Sequence, residues 1–142
     1  MARDEDATIH LNCAREAERN KDFLRTRVEY LKCVESWKQG GNSQMLKDAQ
    51  DEYDEFVRRD PIFKTLLNGL LPIIKENPNI IQSEITKQFE SIDWTALYNY
   101  NRTITKEDIY YALYFAARFG IISRTKKGHS YELNLINKEA IK

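Results

Sequence analysis

The chain has 142 residues and a formal net charge of zero, because its 22 Lys and Arg balance its 22 Asp and Glu. With 42% hydrophobic and 31% charged residues, its composition is that of a globular protein with one compact domain or two small ones. It lacks the roughly 18 uninterrupted apolar residues that span a bilayer, and it lacks a signal peptide's basic start and apolar core. We therefore expect a cytoplasmic protein with no membrane-spanning segment.

The charge is unevenly distributed along the chain. Residues 1–60 hold 11 Lys and Arg against 14 Asp and Glu, a net charge of −3, whereas residues 61–142 hold 11 against 8, a net charge of +3. An acidic front and a mildly basic back predict separate tasks for the two parts. The basic excess is far below the level that identifies a nucleic-acid-binding domain by charge alone.

The first sixty residues are typical of helices, with no proline before position 61. Two sets of apolar residues recur at helical spacing and predict a broad apolar face: Leu24, Val28 and Leu31, and Tyr30, Val34 and Trp37. Asn20 can bend the segment, so residues 6–38 are expected to form one long helix or two. Gly40 and Gly41 predict a left-handed helix end, and Asn42 or Ser43 can cap the next helix.

That next helix has an apolar stripe of Leu46, Ala49, Tyr53 and Phe56 and ends at Asp60-Pro61. The spacing Ala49-x3-Tyr53-x2-Phe56-x4-Pro61 resembles the second helix of a tetratricopeptide repeat, and an echo, Thr26-x3-Tyr30-x2-Cys33, lies 23 residues earlier. Residues 5–60 are thus expected to form a helical hairpin for dimerisation or partner docking. Plain amphipathic core helices are the alternative.

From residue 61 the pattern changes. Residues 61–76 predict a strongly apolar helix that Pro72 should kink or split, and Asn77-Pro78-Asn79 should break the chain. A short helix follows over residues 80–90, with Ile81, Ile85 and Phe89 at i, i+4 and i+8. Residues 91–104 have no clear period and are interpreted as a connection, with Trp94, Tyr98 and Tyr100 anchoring it to the core.

A last helix and a β-hairpin complete the chain. Thr105 has the position of an N-cap, and Gly120 that of a left-handed C-cap. Two strands are predicted over residues 121–125 and 130–135, joined by the basic tip Lys126-Lys127-Gly128-His129. In the second strand Tyr131, Leu133 and Leu135 alternate with Glu132 and Asn134, which predicts one buried and one solvated face.

Residues 61–137 resemble the winged helix-turn-helix superfamily. "NPNIIQSEITKQF" is similar to the first half of its helix-turn-helix, and "TKEDIYYALYFAARFGIISRTKKGHSYELNL" is similar to its recognition helix plus wing. The connection over residues 91–104 is longer than the short turn of an ordinary helix-turn-helix. The expected fold is therefore mainly α: a helical hairpin (residues 5–60) packed on a winged helix-turn-helix (residues 61–137) with a two-stranded wing.

The resemblance implies a set of DNA-contacting residues. Those on the recognition helix are Lys106, Tyr110, Tyr111, Tyr114 and Arg118; those on the wing are Arg124, Lys126, Lys127 and His129; those on the preceding helix are Gln82, Ser83 and Lys87. Glu107 and Asp108 would lie closest to the duplex and oppose binding. The leading hypothesis is a small DNA-binding transcriptional regulator that acts as a homodimer, since two chains double the phosphate contacts. The alternative is a protein-interaction module that keeps the winged-helix shape and uses its Tyr-rich helix.

The sequence lacks the chemistry typical of an enzyme. Its glycines form no phosphate-binding loop, and His10 and His129 have no ligands at metal-binding spacing. His10 and Cys13, at i and i+3, have no third group to orient a catalytic base. Cys13 and Cys33 are expected to be small buried thiols and not a disulfide. We expect no catalytic activity, cofactor or metal.

Overall fold

The computed structural model describes residues 2–89 and 104–136. The chain divides between Asp60 and Pro61 into two compact units, here called the N-terminal unit and the C-terminal unit. The described residues are mainly helical, with one small antiparallel sheet in the C-terminal unit. Over the described ranges, none of the helices has both the length and the apolar character needed to cross a membrane.

The N-terminal unit contains three helices: α1 (Ala2–Arg19), α2 (Phe23–Gly40) and α3 (Ser43–Arg59). The helical hairpin predicted for this part of the chain would have two. The predicted segment over residues 6–38 is thus two helices, separated where Lys21 adopts a positive φ of 62°. The side chain of Asp22 then accepts a hydrogen bond from the Arg25 N–H and caps α2. The predicted end at Gly41 (φ 75°) and the predicted cap at Asn42, whose side chain accepts from the Met45 N–H, are both confirmed.

The core of this unit lies between α2 and its two neighbours. The buried apolar residues of α1 are the alanines Ala7, Ala14 and Ala17, so the α1 and α2 backbones approach closely. The buried apolar residues of α2 are Tyr30, Cys33, Val34 and Trp37, and those of α3 are Ala49, Tyr53, Phe56 and Val57. The two sets of apolar residues predicted to form one broad face of α2 are on different sides of the helix: Leu24, Val28 and Leu31 are 40%, 39% and 44% exposed. They lie on the side of α2 that faces away from the core. The sequence could not predict this, because the helical period alone does not say which of two apolar stripes is buried.

A polar network links the three helices. The Tyr30 hydroxyl donates to Glu52 over 2.9 Å, and the Arg15 guanidinium donates to both Glu52 carboxylate oxygens over 2.9 and 2.8 Å. Arg59 makes a similar two-point contact with Glu18. Burial and the hydrogen bond to Glu52 raise the pKa of Tyr30, whereas the hydrogen bonds from Arg15 and Tyr30 lower the pKa of Glu52.

Both cysteines are free thiols. Cys33 is fully buried, as expected, and burial raises the pKa of its thiol, whereas Cys13 is only half-buried. His10, three residues before Cys13, contacts a carboxylate, with its Nδ1 2.8 Å from Glu29 Oε2.

The C-terminal unit alternates helices and short strands. Its elements are α4 (Pro61–Glu76), β1 (Ile80–Ile81), α5 (Gln82–Phe89), α6 (Lys106–Arg118), β2 (Ile122–Lys127) and β3 (Ser130–Leu135). Pro72 does not split α4, because Leu70, Leu71 and Ile74 on either side of it are buried and hold the helix in place. The connection over residues 91–104, with the predicted anchors Trp94, Tyr98 and Tyr100, lies outside the described residues except for Ile104.

The sheet has three strands in the order β1-β3-β2, all antiparallel. The predicted two-stranded hairpin is present as β2 and β3, and a third strand that was not predicted joins it, with Ile80 and Ile81 pairing with Leu133 and Glu132. The preceding residue Asn79, at a φ of 65°, accepts the left-handed conformation that turns the chain into this strand.

The Asn79 backbone N–H and side chain form two hydrogen bonds with the side chain of Asn134, which fasten β1 to β3. In the β2–β3 hairpin Lys127 pairs with Ser130, so the loop has two residues. Gly128, with a φ of 62°, occupies the first loop position, where a type II′ turn favours glycine.

The core of the C-terminal unit contains side chains from α4, α5, α6, β2 and β3. Its fully buried large side chains are Leu66, Leu70, Leu71, Ile74, Ile85, Leu113, Ile122 and Leu133. Ile109, Leu113 and Ala116 of α6 are buried, and Ala117 is partly buried. An aromatic cluster of Phe63, Tyr111, Phe115 and Phe119 packs edge-to-face and tilted beside them. This packing fixes which side of α6 is exposed.

Candidate nucleic-acid interface

The first turn of α6 is held by an acidic cap. The Thr105 N–H donates to the Asp108 carboxylate over 2.8 Å, and the Thr105 hydroxyl also donates to it over 3.1 Å. Asp108 is completely buried, whereas its neighbour Glu107 is exposed. The expectation that both acids lie on the surface is therefore wrong for Asp108. Glu107 is the only one of the two whose charge faces an approaching ligand.

The exposed side of α6 carries most of the residues predicted for it. Lys106 and Arg118 are exposed, and Tyr110 and Tyr114 are 43% and 49% exposed. Tyr111 is different, because only 8% of it is exposed and its ring packs against Phe63 and Phe115 with centroid distances of 5.9 and 5.4 Å. The prediction of Tyr111 as a surface contact is therefore wrong. It lies about 100° around the helix from Tyr110, on the core side.

A groove between α5 and α6 brings four of the predicted residues together. It has a volume of about 320 Å³ and is lined by Ser83, Thr86, Lys87, Lys106 and Tyr110. Two lysine side chains and three hydroxyl-bearing side chains from different helices thus line one opening. Thr86 was not predicted. Its position three residues after Ser83 places both side chains on one side of α5, which was the signal in the sequence. The Thr86 hydroxyl donates to the Gln82 carbonyl oxygen within the helix.

Two predicted contacts serve instead to join the hairpin to α5. Gln82 is buried, and its Oε1 accepts a hydrogen bond from Arg124 Nε over 3.0 Å. The Arg124 guanidinium also lies over the Tyr131 ring, 3.6 Å from its centroid. The prediction of Gln82 as a backbone contact is wrong because its side chain has no access to a ligand. Arg124 is half-buried and already engaged, so it positions the hairpin.

The end of the hairpin, here called the wing tip, comprises Lys126, Lys127, Gly128 and His129. All four residues are exposed. The strand pairing of Lys126 with Tyr131 and of Lys127 with Ser130 holds the backbone, while the cationic side chains project into solvent. The wing tip therefore offers two ammonium groups from the end of β2 and an imidazole from the two-residue turn.

The described parts of the chain contain no group of three or more His, Cys, Asp or Glu residues arranged to hold a metal ion. The surface that the structure assembles is instead polar and cationic: Ser83, Lys87, Lys106 and Tyr110 at the groove, Tyr114 and Arg118 further along α6, and Lys126, Lys127 and His129 at the wing tip.

A scan against protein-family models found no match to this chain. Comparisons with curated proteins and with solved structures found no match either.

Proposed function

We propose that the C-terminal unit is a winged helix that binds duplex DNA without catalysis, as part of a small transcriptional regulator. The order of its elements supports this proposal, since α4, α5 and α6 are followed by a β-hairpin with a basic turn. The N-terminal unit would serve dimerisation or partner docking. A homodimer would double the number of phosphate contacts.

The observation that carries the proposal is the cationic groove between α5 and α6. Lys87 and Lys106 line it from different helices, next to the hydroxyls of Ser83 and Tyr110. Such a set suits a phosphate, which takes charge-assisted hydrogen bonds from ammonium groups and ordinary ones from hydroxyls. Lys126 and Lys127 at the wing tip would supply further phosphate contacts.

The number of cations limits the expected affinity. Four lysines neutralising about four phosphates give a slope of log K against log salt of about −3.6, so affinity should fall roughly a hundredfold between 50 and 200 mM salt. Base readout would come from Tyr110 and Tyr114, which can hydrogen-bond phosphates and pack on thymine methyl groups. The first half of α6 has no arginine for bidentate guanine contacts, which favours modest sequence preference.

Fluorescence anisotropy with random-sequence duplex DNA at about 50 and 200 mM salt tests the proposal. The charge reversal Lys126→Glu with Lys127→Glu should abolish binding. The matched control is Lys64→Glu with Lys75→Glu, which makes the same charge change at two exposed positions of α4 and should weaken binding much less. Absence of binding by the unmodified chain at low salt, or equal losses in both variants, would rule out the wing tip as a DNA contact.

A second candidate is a protein-interaction module that uses the exposed face of α6. Tyr110 and Tyr114 are large, half-exposed and one helical turn apart, and tyrosine is enriched in protein interfaces. The two candidates respond oppositely to mutation. Protein binding through this face should survive Lys126→Glu with Lys127→Glu but be lost with Tyr110→Ser and Tyr114→Ser, as measured by calorimetry with the partner in question.

A further inference from the structure

The central helix of the N-terminal unit, α2, has two apolar faces. One contains Tyr30 and Trp37 and is buried against α1 and α3. The other, here called the α2 stripe, consists of Leu24, Val28 and Leu31. With 100° per residue, the stripe lies almost opposite the buried face. The stripe is therefore a separate surface and not the rim of the core.

The α2 stripe has the spacing of a helix-pairing seam. Its residues follow at i, i+4 and i+7, the alternating four-three spacing of the apolar positions in a coiled coil. About 40% of each side chain is exposed. Single exposed apolar residues are ordinary, but three aligned on one ridge form a continuous surface that a second helix can cover.

Basic side chains lie along one flank of this ridge, and the exposed Glu35 continues its line one turn beyond Leu31. Arg25 and Lys32 are exposed and lie one helical step from the stripe on the same flank, seven residues apart. The Lys32 ammonium is 3.9 Å from a Glu29 carboxylate oxygen, and the Lys32 side chain remains 53% exposed. Lys21 and Lys38 are exposed near the two ends of the helix. The flanking positions of a helix pair select its partner by charge.

A second copy of the chain fits this rim poorly. In an antiparallel pair centred on Val28, Lys21 would meet Glu35 of the copy, but Arg25 would face Lys32 of the copy, and this repulsion would occur twice. In a parallel pair each flank faces the opposite flank of the copy, so Lys32 would meet Arg27 of the copy, again a pair of like charges. Like charges across a helix pair disfavour association. Carboxylates at the facing positions would remove the repulsion in either orientation.

We propose that the α2 stripe docks an amphipathic helix of a partner protein whose apolar seam is flanked by Asp or Glu. The occupant would place leucine-like side chains on Leu24, Val28 and Leu31 and two carboxylates beside Arg25 and Lys32. This inference concerns the N-terminal unit alone. It does not depend on DNA binding by the C-terminal unit.

A membrane surface fits the stripe less well than a helix. Helices that lie in a bilayer interface have a wide apolar face, typically with Trp or Phe. The α2 stripe consists of three residues, has no aromatic side chain, and each of its residues is only about 40% exposed.

The test uses the full chain and two synthetic 21-residue peptides. Both carry leucines at alternating three-four spacing; one has glutamate at every flanking position and the other has lysine, and each is labelled and kept below its self-association concentration. The glutamate peptide should bind at least tenfold more tightly by fluorescence anisotropy. Arg25→Glu with Lys32→Glu should reverse this preference, and Leu31→Asp should remove binding of the glutamate peptide. Circular dichroism checks that these exposed changes leave the helices intact.

Several results would overturn the proposal. These are equal affinity for both peptides, glutamate-peptide binding no tighter than that of a scrambled peptide, and a preference that the charge reversal does not change. A dimer in sedimentation velocity that Leu31→Asp dissociates would assign the stripe to a second copy. Binding to phosphatidylserine-containing vesicles, lost with Leu31→Asp, would assign it to a membrane. The DNA titration is independent of these readouts, so the two proposals can fail separately.

Discussion

Asp108 illustrates how burial decides what an acidic residue does. Its carboxylate accepts two hydrogen bonds from Thr105 and is fully buried. Asp108→Ala should lower the free energy of unfolding by about 1–2 kcal/mol, because the first turn of α6 loses its cap. The matched control Glu107→Ala removes an exposed carboxylate from the same turn and should change it by no more than about 0.5 kcal/mol. Urea denaturation measures both; equal effects would contradict the assigned cap.

Glu52 should make stability depend on pH at the acid end. Its pKa is lowered in the folded chain by Arg15 and Tyr30, so the unfolded chain binds the proton more readily. The stabilisation is present above the unfolded pKa and is lost as pH falls through the folded pKa. Glu52→Gln should therefore flatten the fall in unfolding free energy between pH 7 and pH 3, about the range in which carboxylates titrate. Glu55→Gln, at an exposed position of the same helix, should leave that slope nearly unchanged.

At the scale of elements, the attachment of the hairpin to α5 can be measured. Arg124 bonds Gln82 and covers the Tyr131 ring. In a double-mutant cycle with Arg124→Ala and Gln82→Ala, the two residues should show a coupling of about 0.5–1.5 kcal/mol in unfolding free energy. Lys126→Ala should couple to Gln82→Ala by less than about 0.3 kcal/mol, because its side chain is exposed. Additive effects of Arg124 and Gln82 would refute the linkage.

Local sequence signals predicted most of the element boundaries. Gly41, Asn42, Thr105 and Gly120 act through backbone conformation or capping bonds that a few neighbouring residues determine. The two-residue strand β1 could not be predicted, since two residues carry no periodicity and the strand exists only through its pairing with β3.

Residue type was a weaker guide to the candidate interface than to the helix ends. The lysines and Tyr110 reach the surface as predicted, because charge and helical phase agree there. Tyr111 and Gln82 do not, because the tertiary contacts that bury them involve residues distant in sequence: Phe63 for Tyr111 and Arg124 for Gln82. The outward direction of the α2 stripe depends in the same way on where α1 and α3 pack.

At the scale of the whole molecule, the balance of charge should limit DNA association. The chain as a whole is neutral. Neutralising three exposed carboxylates of α3, with Asp48→Asn, Asp51→Asn and Glu55→Gln, would give a net charge of +3. If DNA is bound, this variant should associate with it several-fold faster at about 10 mM salt, where the Debye length is about 30 Å, and the gain should shrink at 150 mM.

Stopped-flow fluorescence measures these association rates. The matched control exchanges the same residues for their charged homologues, with Asp48→Glu, Asp51→Glu and Glu55→Asp, and should behave as the unmodified chain does. A gain that persists unchanged at high salt would show that a direct contact, and not the overall charge, is responsible.

The buried hydroxyl of Tyr30 also gives the molecule an optical marker of its own unfolding. Because burial and Glu52 raise the pKa of Tyr30, this phenol stays protonated in the folded chain as the pH rises past the ordinary tyrosine range. The unfolded chain releases that proton more readily, so alkali destabilises the fold. In an alkaline titration followed by ultraviolet absorbance, the phenolate signal of Tyr30 should therefore rise together with the loss of helical circular dichroism, and Tyr30→Phe should remove only that component.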